Sequence, residues 1–179
     1  MQNDIEYVLL EKNEIDLRVS EIGKAISEDF AGKSPLFIGV LKGSFIFMAD
    51  LIRNVTIPCS MEFMAVSSYG SKSLTTGAVK IYLDLNVDVE NRHLIIIEDI
   101  LDSGLTLNYL VNYLSNRNPA SITLATLLDK PSRRQVPIHV NYTGFEIPDA
   151  FVVGYGLDYA EKYRNLPYIG VLKPEIYTD

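Results

Sequence analysis

At 179 residues, 47% of them hydrophobic and 22% charged, the chain is long enough for one domain with a sizeable core. Its net charge of −7, with no Lys/Arg cluster beyond Arg133-Arg134, weighs against a nucleic-acid surface, which needs a basic face. The single cysteine, Cys59, excludes an internal disulfide, and no apolar run approaches the ~18 residues of a membrane span.

No linker, repeat or low-complexity tract divides the sequence, so a single domain over residues 1–179 is expected. Without a hydrophobic leader, a soluble cytoplasmic protein with no membrane partner is expected as well. Neither zinc-ligand spacing nor a Cys/His pair occurs. His93 opens a strand and His139 is read as lying in a Pro-flanked strand, so both fit structural roles.

In chain order, Tyr7 to Leu10 is a short apolar piece. Asn13 can cap a first helix whose Ile15, Val19, Ile22 and Ile26 share one face, and Gly32 and Pro35 end it. Leu36 to Leu41 reads as a buried strand that finishes at Lys42-Gly43-Ser44, with a helical stretch through Arg53 after it. Ile57 to Val66 and Val79 to Leu85 are strand-like, joined by twelve small, polar residues, Ser67 to Ala78. Such a stretch is expected to be a mobile loop in the free protein, and long polar loops in compact domains frequently serve as lids.

The most informative stretch is Leu94 to Thr106. Leu94-Ile95-Ile96-Ile97 reads as a strand buried on both faces, stopping at the carboxylates Glu98 and Asp99. An acidic turn, Asp102-Ser103-Gly104, follows. Leu107, Leu110, Val111 and Leu114 then form the stripe of an amphipathic helix. Ligands of open α/β sheets bind at strand carboxyl ends, where a helix N-terminus offers free N–H groups to an anion. A plain phosphate would be repelled by Glu98 and Asp99, whereas a sugar phosphate with a free diol reconciles both features. Its phosphate takes the N–H groups of residues 102–106 and the Ser103 and Thr106 hydroxyls; the carboxylates accept from the diol or hold Mg²⁺. Taken singly, each acidic residue fits a strand end or a helix cap. Three carboxylates in five residues favour the ligand. Lys42-Gly43, one crossover away, then becomes a candidate pyrophosphate site.

Farther on, Ser121 to Leu128 is another strand, ending at Asp129-Lys130-Pro131. Ile147-Pro148-Asp149 is a turn, Phe151 to Val153 a short strand, and Tyr168 to Leu172 the last. Alternating βα units of this kind predict an α/β fold with a doubly wound, mostly parallel sheet. Residues from about 1–12 and 130–179 are expected to form a small hood over the strand ends. Neither a Walker lysine loop nor a dinucleotide glycine motif is present.

Two stretches resemble a known family. Glu98-Asp-Ile-Leu-Asp-Ser-Gly-Leu-Thr106 is similar to the phosphoribosyl pyrophosphate loop of type I phosphoribosyltransferases. Gly144-Phe-Glu-Ile-Pro-Asp-Ala-Phe-Val-Val-Gly-Tyr-Gly-Leu-Asp-Tyr159 resembles the purine-binding region of their hypoxanthine-guanine members. The likeness runs from about Pro35 to Leu172, and Leu105 departs from relatives that carry lysine there. The resemblance implies purine salvage: phosphoribosyl transfer to a 6-oxopurine with Mg²⁺ as cofactor. It implies small-molecule substrates and a homodimer or homotetramer.

Residue by residue, it places the 5′-phosphate on Asp102, Ser103, Gly104, Leu105 and Thr106. It places the ribose and Mg²⁺ on Glu98 and Asp99, with a second Mg²⁺ on Asp158. Lys42 and Gly43, preceded by a cis peptide, would meet the pyrophosphate together with Arg164, and Ser68-Tyr69 would fold over it. Lys130 would donate to the purine O6, Phe151 would stack on the base, the Val152 backbone would read its edge, and Asp158 would lie beside it. Asp102 would take the purine N7 proton. Two rivals are a nucleic-acid-binding regulator that senses phosphoribosyl pyrophosphate on the same fold, and an enzyme preferring another base such as xanthine. The acidic balance and the intact set Lys42, Asp102, Lys130, Phe151, Asp158 and Arg164 speak against the first. The stretch from Phe151 to Asp158 favours a 6-oxopurine over a pyrimidine and does not rank hypoxanthine, guanine and xanthine.

Overall fold

The computed structural model describes residues 1–68 and 79–178. Among them the chain runs β1 (Ile5–Leu10), α1 (Lys12–Asp29), β2 (Leu36–Leu41), α2 (Phe45–Arg53), β3 (Ser60–Ser68) and β4 (Val79–Leu83). It continues through β5 (His93–Leu101), α3 (Leu105–Ser115), β6 (Ser121–Asp129), β7 (Tyr142–Glu146), β8 (Val152–Val153), β9 (Ile169–Leu172) and α4 (Pro174–Tyr177).

The larger sheet has the order β4-β3-β2-β5-β6-β7, parallel throughout except for the antiparallel edge strand β4. Strand side chains alternate faces, and here the alternation assigns the two cores. Phe37, Ile95 and Ile97 point to one face and pack with Ile15, Val19, Ile22 and Ile26 of α1 and with Phe47 and Leu51 of α2. Leu36, Ile38, Leu94 and Ile96 point to the other, against Leu107, Leu110 and Leu114 of α3. Helices thus cover both faces of a mostly parallel sheet, as the alternating βα pattern requires.

Several sequence expectations are corrected. The N-cap of α1 is Glu11, not Asn13: Glu11 and Glu14 exchange side-chain to backbone hydrogen bonds in a capping box. Strand β3 begins at Ser60, three residues after Ile57, and β5 continues through Glu98 and Asp99 to Leu101 because it keeps pairing with β6 as far as Asp129. His139 lies in no strand; His93 does open β5, where its Nδ1 is 2.7 Å from the Ser121 hydroxyl.

A second, three-stranded antiparallel sheet, β1-β9-β8, lies outside the main one. It joins the two expected hood segments, but the segment after 130 is divided. Tyr142 to Glu146 pairs with β6 in the larger sheet, and Arg18 of α1 donates to the Thr143 and Gly144 carbonyls. No helix among the described residues is long and apolar enough to cross a membrane.

Candidate active site

Both strand-turn-helix units deliver their turns to the carboxyl ends of adjacent strands, since β2 and β5 are parallel neighbours. In the first, the Leu41–Lys42 peptide is cis, and the buried Ser44 hydroxyl donates to the Val40 carbonyl at 2.7 Å. In the second, Gly104 adopts φ +83° and serves as the N-cap of α3, a conformation that favours glycine. The first N–H groups of a helix lack intrahelical partners, so this turn presents donors to an anion. A recess of about 80 Å³ lies there, lined by Glu98, Asp102, Ser103, Gly104 and Thr106 among others, while Leu105 points outward.

The recess is braced by a segment that composition marked only as a pair of cations. Gln135 N–H donates to the Ser103 carbonyl at 2.9 Å, Arg134 Nε to the Asp102 carbonyl at 3.2 Å, and Lys130 N–H to the Leu101 carbonyl at 2.9 Å. Arg134 also pairs with Asp129. Backbone contacts of this sort leave no periodic trace in a sequence.

Glu98 and Asp99 sit differently from a strand end in solvent. Glu98 Oε2 is buried without a hydrogen-bond partner, and burial, followed by the Asp99 charge, pushes its carboxyl well above the usual glutamate range. Burial also raises Asp99, against the Ile100 N–H that donates to its Oδ1 at 2.8 Å. Two crowded carboxylates with an orphaned oxygen are short of positive charge and donors, which a divalent cation and a diol both supply, so the pair fits Mg²⁺. Among the described residues no group of three or more His, Cys, Asp or Glu gathers to hold a metal, and Asp158 pairs with Arg164 at 2.8 Å.

Burial of the Glu98 carboxyl makes the stability of the fold depend on pH. A carboxyl raised in the fold favours the protonated form, so its contribution is fully present below the unfolded-state value and is lost as pH rises through the folded one. Glu98→Gln removes that loss. In chelator, the variant should melt higher than the parent near pH 8, at about 2–4 °C per kcal/mol for a chain of this size, with the gap closing toward acid. Equal melting at both pH values contradicts this.

Gly43 fits against the pair: a Cβ there would lie 1.6 Å from Asp99 Oδ2, and one on Gly156 2.2 Å from the Gly43 carbonyl oxygen. Lys42 Nζ pairs with Glu161 at 3.0 Å. Arg164 binds Asp158 at 2.8 Å, the Gly156 carbonyl at 2.8 Å and Glu161 at 3.5 Å. One acidic side chain therefore lies between the two cations expected at a pyrophosphate. Ser68 ends β3 by backbone pairing with Val79; Tyr69, with the rest of the expected lid to Ala78, falls outside the described residues.

The third part is a cleft of about 280 Å³ lined by Ile100, Asp102, Lys130, Phe151, Val152 and Asp158 among others. Lys130 is buried, its Nζ donating to the Ala150 carbonyl at 2.6 Å, and burial lowers its pKa. Sequence reasoning missed Arg133, whose Nε donates to Asp149 at 2.7 Å and whose Nη1 lies 3.8 Å from Asp102 Oδ2. Asp102 Oδ1 is buried without a partner. Asp102 and Ile100 line both the cleft and the phosphate recess, so the two cavities meet at Asp102.

The chain resembles known proteins over its whole length. Residues 9–160 match the phosphoribosyl transferase domain. The chain is 55% identical to the hypoxanthine-guanine phosphoribosyltransferase of Bacillus subtilis (strain 168), covering 99% of this chain and 98% of that protein. It is 52% identical to the bifunctional protein TilS/HprT of Listeria monocytogenes, over all of this chain but only 28% of that longer protein. The crystal structure of a hypoxanthine phosphoribosyltransferase from Staphylococcus aureus superposes with a TM-score of 0.96 at 48% identity, covering 100% of this chain and 97% of that one. The chain belongs to the phosphoribosyltransferase family, among its hypoxanthine-guanine members.

Proposed function

We propose that this protein transfers 5-phosphoribose from phosphoribosyl pyrophosphate to N9 of hypoxanthine or guanine, releasing pyrophosphate and giving IMP or GMP. The observation that carries this reading is that Asp102 lines both the anion recess and the base cleft. A nucleotide laid across them has its phosphate in one, its base in the other, and its ribose beneath that carboxylate.

The residues then divide the work. N–H groups of the Asp102–Thr106 loop take the 5′-phosphate. Glu98 and Asp99 accept from the ribose hydroxyls and tolerate the positive charge that develops on the sugar. Glu98 and Asp99 would hold Mg²⁺, and Asp158 a second ion once it gives up its pairing with Arg164; when bound, these ions would supply positive charge to the pyrophosphate and the diol. Lys42, the Gly43 turn and Arg164, with Ser68 and Tyr69, hold the departing pyrophosphate. Phe151 stacks on the base, Lys130 donates to its O6 and the Val152 backbone reads its edge. As the C1′–oxygen bond to pyrophosphate breaks and the N9–C1′ bond forms, the proton on purine N7 passes to Asp102.

Lys130→Ala tests the base site. Its ammonium uses one of three donors on Ala150, leaving others for O6. Losing a charged donor costs about 1.5–3 kcal/mol, roughly ten- to a hundredfold in kcat/KM. The loss should appear for hypoxanthine, guanine and xanthine alike and spare the KM for phosphoribosyl pyrophosphate. A variant with parental kinetics returns Lys130 to a packing role. A cytoplasmic location and association into dimers or tetramers belong to the same reading, supported by the family resemblance. Sedimentation at the mass of one chain would contradict the association.

A further inference from the structure

Phe151 is 37% exposed and lies just before β8, outside any strand, so no strand neighbour fixes the plane of its ring. Two distant residues do. The Tyr177 ring stacks on it, centroid to centroid 4.7 Å with 20° between planes. The Tyr159 ring meets it edge-on at 5.5 Å and 89°. Tyr159 and Tyr177 also contact each other at 6.5 Å, closing a three-ring cluster. Tyr177, the last residue of α4, lines the base cleft with Phe151.

The cluster is tied into the small sheet. Leu172 N–H of β9 donates to the Phe151 carbonyl at 2.8 Å, Lys173 N–H to the Asp4 carbonyl at 3.0 Å, and Thr178 N–H to the Pro174 carbonyl at 2.9 Å. Tyr159 and Tyr177 pack against Val153, Tyr163, Leu166 and Leu172. The four-residue helix α4 is therefore tied at its start to the segment before β1 and closed at its end by its own cap, and its last side chain rests on the ring assigned to the purine.

We propose that Tyr177 is a positioning residue for base recognition: stacked on Phe151, it holds that ring in the plane the purine requires. This rests on the assignment of Phe151 as the stacking platform. A flat aromatic platform with one face already occupied offers the other to a base. Without Tyr177, ordering the Phe151 ring becomes part of the cost of binding. The bonds and packing that tether α4 place the effect on the base and not on the sugar phosphate, whose recess includes neither ring.

Steady-state kinetics with hypoxanthine at saturating phosphoribosyl pyrophosphate and Mg²⁺ test this, using Phe151→Leu, Tyr177→Ala, Tyr177→Leu, Tyr177→Phe and the double Leu variant. Tyr177→Leu fills the hood and guards against an Ala variant that fails to fold. Aromatic pairing of this kind predicts a rise of about 3–10-fold in the hypoxanthine KM for Tyr177→Ala and Tyr177→Leu. The KM for phosphoribosyl pyrophosphate should stay unchanged. Tyr177→Phe, which keeps the ring, should rescue the base KM, and in the Phe151→Leu background Tyr177→Leu should add little. If Phe151→Leu raises the base KM and Tyr177→Leu does not, the positioning role is overturned and the platform stands. A base KM that falls in Tyr177→Leu also overturns it, because Tyr177 would then compete with the base for the ring. If Phe151→Leu itself leaves the base KM unchanged, the platform assignment falls, and this role with it.

Discussion

Asp102→Asn should lower the single-turnover rate of phosphoribosyl transfer by about 10²–10⁴-fold, the usual worth of a positioned proton acceptor, with modest change in either KM. The side chain stands where the phosphate recess and base cleft meet, with Oδ1 buried and free of hydrogen bonds and Oδ2 3.8 Å from Arg133 Nη1. Asparagine keeps the shape and removes the acceptor. No folding role is lost, because Gly104, and not Asp102, is the N-cap of α3, so the melting temperature should stay near that of the parent. Single-turnover measurement matters because slow product release would mask the effect at steady state. A rate that stays close to the parent's would mean that the N7 proton leaves by another route.

Gly43→Ala should be nearly as damaging, through space and not through conformation. The added methyl would lie 1.6 Å from Asp99 Oδ2, so the carboxylate must move. That carboxylate is anchored on the Ile100 N–H and sits beside an already crowded Glu98, which leaves little room for a small adjustment. Misplacing a catalytic group by about 1 Å can cost on the order of 10²-fold. The expected loss is therefore about 100-fold in kcat/KM for phosphoribosyl pyrophosphate, with a smaller penalty of about 1–3 kcal/mol in stability from overpacking. The base cleft does not include Gly43, so binding of the purine product's base portion should be retained. Kinetics and thermal melting on the same preparation separate the two effects. Parental kinetics would show that the Asp99 position is unimportant to the sugar phosphate.

Legibility of this molecule in its sequence follows burial. Strands β2 and β5 are buried on both faces, so Leu36 to Leu41 and Leu94 to Ile97 stand out as unbroken apolar runs, and the glycine turns after them are visible by contrast. Strand β7 was invisible for the opposite reason: at the sheet edge none of its residues is fully buried, and its register depends on Gly144, where a Cβ would meet the Leu127 carbonyl at 2.3 Å. Strand β8, Val152–Val153, is read from the sequence one residue too long, as Phe151 to Val153, because a Pro turn and Gly154 bracket a short apolar run. The phosphate loop and its carboxylates could be argued from residue chemistry alone. The roles of Phe151, Asp158 and Arg164 came only with the family resemblance. Arg133, Arg134 and Tyr177 reach the site through contacts between segments far apart in the chain, which no local pattern encodes. The raised values of Glu98 and Asp99 were likewise hidden, since the run of isoleucines appeared to stop before them while β5 carries on to Leu101.

The central claim, transfer of phosphoribose to a 6-oxopurine, is tested most directly by product analysis. The protein is incubated with phosphoribosyl pyrophosphate, Mg²⁺ and hypoxanthine, and the nucleotide and pyrophosphate are quantified together. Equal amounts of IMP and pyrophosphate, formed only when hypoxanthine is present and lost in Asp102→Asn, are the predicted result. Tight binding of phosphoribosyl pyrophosphate with no nucleotide formed from hypoxanthine, guanine or xanthine would contradict it, and would leave a sensor of the sugar phosphate in place of a transferase.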